Sequence, residues 1–150
     1  MKVSREIWEA FQDLLAADTG TLAAVAAMHV HLVIAPFVPS LDLVIGDLTL
    51  ATFTGSTPKN AGTGAQQVFD NPLAAGQRVV QILEPAGGWT WICTADPTPA
   101  ETVYGWVLTD NTNADVYGSE LLAAPVTIGS AGQGITVPNV RMSFLPTSPI

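Results

Sequence analysis

The sequence predicts a mainly β fold: an antiparallel β-sandwich or jelly-roll-like barrel preceded by one N-terminal α-helix. Three observations predict it. About eight short apolar stretches recur at fairly even spacing from residue 28 onward. Clusters of Gly, Pro, Asn and Asp separate them, and those residues favour turns. Apolar side chains fall at helical spacing only near the N-terminus. A Greek-key sandwich and a jelly roll share this pattern, so both remain open.

The helix is predicted over residues 4–17. Ser4 can cap it, and Glu6 and Glu9 stand where the helix dipole favours anions. Ile7, Phe11, Leu14 and Leu15 recur along one face, with Trp8 beside them. Gly20 is a stop signal. Residues 1–27 then form a helical extension serving as an anchor or oligomer contact, through Ile7, Trp8, Phe11 and Leu14. Residues 28–150 form the β-domain.

The first strand is predicted in MHVHLVIA, residues 28–35. LDLVIGDLTLATF, 41–53, alternates and reads as one bent strand or two, broken at Gly46–Asp47. Residues 54–68 are rich in Gly, Thr and Asn and read as a long surface loop, of the kind that carries binding in many β-sandwiches. Residues 78–94 read as a hairpin around Gly87–Gly88. TVYGWVLTD (102–110) and DVYGSELLA (115–123) read as strands on either side of the polar DNTNAD, 110–115. A short strand, a Gly-rich loop and another strand follow in 124–137. VRMSFLP closes the domain.

Charged residues make up only 12% of the 150, and the net charge is −8. A surface so poor in charge suits a chain that hides part of itself in an oligomer or larger assembly. The five basic residues are scattered, which argues against nucleic acid and anionic membrane as partners. No apolar run approaches the roughly 18 residues of a membrane span. The single cysteine, Cys93, excludes an internal disulfide and sits in an apolar setting, WTWICT.

The residues that could carry chemistry are few. His29 and His31 share one side of a predicted strand and could begin a metal site. The alternative is a wet strand face opposite an apolar one made of Met28, Val30, Leu32 and Ile34, and the alternation favours it. DNTNAD offers many oxygens but lacks the spacing of a calcium loop, and its residues are those of ordinary turns. A nucleophilic triad lacks its serine elbow, and both histidines lie on one strand. Glu84, Glu101 and Glu120 are the candidate carboxylates for glycosidase work, and nothing in the sequence pairs them. A phosphate-binding loop is absent, and no cofactor is expected.

The aromatics remain. Trp89 and Trp91 share one strand face, and Tyr104 and Trp106 another. Core packing accounts for them, and the other reading is an exposed platform for a sugar or partner protein. Gly105, between Tyr104 and Trp106, leaves the opposite face bare enough for a backbone or large ring to approach.

Two segments carry a resemblance. Asp47, Leu48, Thr49, Ala51, Phe53 and Gly55 follow an acidic-L-T-x-A-x-F-x-G pattern, and Thr102 to Asp110 reads TVYGWVLTD. With the closing LLAAPVTIGSAGQGITVPNVRMSF, they resemble a group of short structural proteins of tailed bacteriophages, over about residues 28–145. The resemblance implies a non-enzymatic virion component made in the host cytoplasm, such as a capsid decoration or cement protein or a minor head protein. Its partners would be further copies of itself, a trimer being one such arrangement, and the major capsid or other virion proteins. The alternative is a tail-fibre or receptor-binding adhesin. A metal-dependent enzyme using His29 and His31 is the remaining reading. The group transfers no catalytic motif.

Overall fold

The computed structural model describes residues 2–3, 28–40, 43–60, 65–70, 78–83, 88–109, 116–138 and 140–144. These form ten strands and a single 3-10 turn, with no α-helix among them. The predicted N-terminal helix, including Ser4, Ile7, Trp8, Phe11 and Leu14, lies outside the described residues, as does DNTNAD. A mainly β chain is what the alternating apolar stretches predict.

The largest sheet has five strands in the order β1-β8-β7-β2-β3: β1 (Lys2–Val3), β8 (Val116–Ile128), β7 (Glu101–Thr109), β2 (His29–Val33) and β3 (Lys59–Asn60). All its pairings are antiparallel. A second sheet places β5 (Arg78–Leu83) between β10 (Val140–Phe144) and β4 (Ala65–Asp70). The third is a ribbon of β6 (Gly88–Ile92) and β9 (Gly134–Pro138).

The core forms where the ribbon faces the five-stranded sheet. The ribbon contributes Trp89, Trp91, Ile135 and Val137, and the sheet contributes Val30, Leu32, Val103, Trp106, Leu108 and Ile128. Met28, Phe53 and Cys93 complete the cluster from outside the strands. Alternation explains the ribbon: Trp89 and Trp91 point inward while Thr90 and Ile92 are exposed. Each fully buried large apolar side chain contributes about 1.5–3 kcal/mol, so the two tryptophans are principal contributors.

The opposite face of the sheet is buried as well. Val33, Val107 and Val116 form a second cluster, against which Phe37, Leu43, Ile45, Leu48 and Leu50 pack. β2 and β7 are thus covered on both faces, which is why Leu32–Val33 and Trp106–Leu108 are continuous apolar runs.

Several predicted elements differ from the structure. The alternating 41–53 stretch is not a strand in its described part. It carries isolated bridge residues at Val44 and Leu50, the latter paired with Val33, and a 3-10 turn over Ile45–Asp47, at the break read from Gly46–Asp47. Its leucines cover the second cluster from an irregular backbone, and this gives the same periodic look as a strand. The 54–68 stretch is not one long loop: Lys59–Asn60 pairs with β2, and β4 begins at Ala65 and pairs with β5 along its whole length. Ladder pairing outweighs a polar, Gly-rich composition there, with the distant β2 for Lys59–Asn60 and with the next strand, β5, for β4. The third is the 78–94 hairpin. Both strands exist, but β5 pairs with β4 and β10, and β6 pairs with β9. A Gly-Gly signal marks a break in the chain and says nothing about which sheet the next strand joins.

β7 and β8 do pair, as the strands flanking DNTNAD suggest. β8 continues without interruption to Ile128, through the point where the sequence suggests a new strand. Between the pairs Val103–Val126 and Gly105–Leu121 the register shifts, so that residues 122–125 face Tyr104 alone.

Candidate functional site

The histidine pair comes first. Rungs of the sheet align His31 with Val107 and Val107 with Ser119, and align His29 with Thr109. Antiparallel partners share a face, so these side chains lie on the face of the second apolar cluster. The His29 and His31 rings stand 6.3 Å apart, edge to face. His29 is half-buried, whereas His31 is only 5% exposed. This corrects the expected wet face: Val30 and Leu32 are buried opposite, as read from the sequence, but the histidine side is buried too. Strand alternation shows which residues share a face and is blind to what covers that face.

Among the described residues no group of three or more His, Cys, Asp and Glu could hold a metal ion. The arrangement around His29 and His31 therefore supplies two imidazoles on a covered sheet face, beside the fully buried Thr109 and Ser119. Thr109 Oγ1 donates a long hydrogen bond, 3.4 Å, to the His29 carbonyl. Ser119 Oγ is buried and finds no hydrogen-bond partner among the described residues. It lies two strands from His31, so the pair is not a nucleophile and its base.

The aromatic positions divide. Trp106 is 3% exposed and belongs to the core, and Tyr104 is half-buried. Simple alternation would put them on one face, but Val103 and Trp106 both lie in the core, three positions apart. The register shift at Tyr104 accommodates the odd spacing. Trp91 is fully buried, and its Nε1 donates to the Thr57 carbonyl at 2.9 Å. The Lys59 ammonium sits 5.9 Å from its ring centroid. Trp89, Trp91 and Trp106 are thus packing residues.

Gly105 behaves as its position suggests. The Phe37 ring covers it, and the Glu120 carbonyl approaches from β8. The other motif positions are also occupied by packing. Phe53 is in the core with Ala51 against it, and Leu48 packs on the second cluster. The Thr49 carbonyl accepts from Ile34 N–H, and Ala51 N–H donates to the Leu32 carbonyl. Gly55 has φ +107° and lies against the Ile92 carbonyl, where no side chain fits.

Three connections are cross-braced by polar groups. The Glu101 carboxylate accepts from both the backbone N–H and the hydroxyl of Thr52. Thr94 N–H donates to the Thr54 carbonyl, and Asp96 Oδ1 accepts from Ala131 N–H. The Gln133 side-chain oxygen accepts from Gly129 and Ser130 N–H, closing the turn between β8 and β9. Glu101 is therefore engaged in tying the 52 segment to the start of β7. Glu120 is exposed on β8, opposite Trp106 in register, and Glu84 lies outside the described residues.

The remaining surface feature is apolar. Val38 is 79% exposed, Ile92 55% and Leu121 45%. Leu121 pairs in register with Gly105, the glycine that Phe37 covers, and Val38 follows Phe37 in the chain. Sequence reasoning missed this group, because an exposed and a buried leucine look alike until the neighbours are known. No helix among the described residues is long and apolar enough to cross a membrane.

Comparison with protein-family models, with curated proteins and with solved structures gives no match for this chain.

Proposed function

We propose that this chain is a non-catalytic structural β-domain of a phage-like virion, of the capsid decoration, cement or minor head type. It works by packing against copies of itself and against other virion proteins. The observation that carries the reading is the surface: charge is sparse over the whole chain, and apolar side chains stand exposed at Val38, Ile92 and Leu121. Such a surface suits a protein whose working state is an assembly. The resemblance of 47–55 and 102–110 to phage structural proteins supports the same reading. We take the finer architecture to be a β-sandwich, supported by the core shared between the five-stranded sheet and the β6–β9 ribbon.

One observation favours the adhesin alternative. The connections around Thr52, Thr54, Asp96 and Gln133 are held in place by hydrogen bonds, and braced loops on a β scaffold suit ligand recognition. Labelling with an antibody against this chain, followed by electron microscopy of particles from the producing cells, separates the two. Label spread over the head supports decoration. Label confined to the tail tip, together with binding on a glycan array, supports the adhesin. Absence of label from the particle contradicts both.

A further inference from the structure

No further inference is drawn: the strongest candidate, the uncharged stretch of β8 from Leu121 to Ile128 with its exposed Leu121, Ala123, Ala124 and Pro125, is an apolar surface for which nothing in the structure shows what covers it.

Discussion

The Phe37 ring lies directly on the backbone of Gly105. A methyl group at position 105 would stand 2.8 Å from Phe37 Cε1 and would run into the Glu120 carbonyl oxygen. One contact is a side chain that can move, and the other is a neighbouring strand's backbone that cannot do so cheaply. Gly105→Ala should therefore cost about 2–3 kcal/mol, toward the upper part of the range for overpacked cores. Urea denaturation of the variant checks this. The double variant with Phe37→Ala should lose less than the sum of the two single losses, because one of the two clashes has been removed. Strict additivity would mean that the ring does not rest on the glycine.

Trp91 combines full burial with a hydrogen bond to the Thr57 carbonyl. Trp91→Phe should cost about 1–3 kcal/mol, from the lost bond and the small void. Trp91→Ala should cost about 3–5 kcal/mol, enough to unfold a marginal domain. Lys59→Ala should cost no more than about 1 kcal/mol, since the cation stands near the far limit for a ring contact. Thermal unfolding followed by tryptophan fluorescence ranks the three.

Ser119 is 1% exposed, and its hydroxyl has no hydrogen-bond partner among the described residues. A buried polar group left unsatisfied is a cost that an apolar side chain removes. Ser119→Ala should be neutral or stabilising by up to about 1 kcal/mol in the same denaturation assay. A loss of about 1 kcal/mol or more would show that the hydroxyl is satisfied in solution.

Cys93 is buried in the core, and its Sγ lies 2.9 Å from the Ala95 carbonyl. A thiol held this way is shielded from reagents. The folded protein should react with an aromatic disulfide reagent only slowly, and at a rate that follows unfolding when urea is added. Rapid stoichiometric labelling under native conditions would place Cys93 at the surface instead.

How far the sequence could be read differs from element to element, for physical reasons. The β class was legible because alternation is a local property: GWTWI places two tryptophans inward and two residues outward with no knowledge of neighbours. The role of Gly105 was legible for the same reason, since a bare position between two aromatics invites a ring. Partnership was not legible. β5 and β6 are successive strands in different sheets, and β4 is held by β5 despite a polar lead-in. The first outcome depends on ladder partners distant in sequence, β10 for β5 and β9 for β6, and the second on a pairing that composition does not report. The leucines of 43–50 imitate a strand while packing from an irregular backbone. The histidine face shows the same gap. His31 was placed on the correct side of its strand, but its burial depends on what lies over the sheet. Of the candidate interaction residues, Trp106 is a core residue, Tyr104 is half-buried, and Ile7, Trp8, Phe11 and Leu14 lie outside the described residues.

The proposed role is that of a packing module within an assembly. Sedimentation velocity of the purified 150-residue chain, over a wide concentration range at physiological salt, is the sharpest test of it. A discrete homo-oligomer should persist on dilution, with Leu121→Lys or Ile92→Lys weakening it while leaving the fold intact by circular dichroism. A single species with the mass of one chain at every concentration would contradict it.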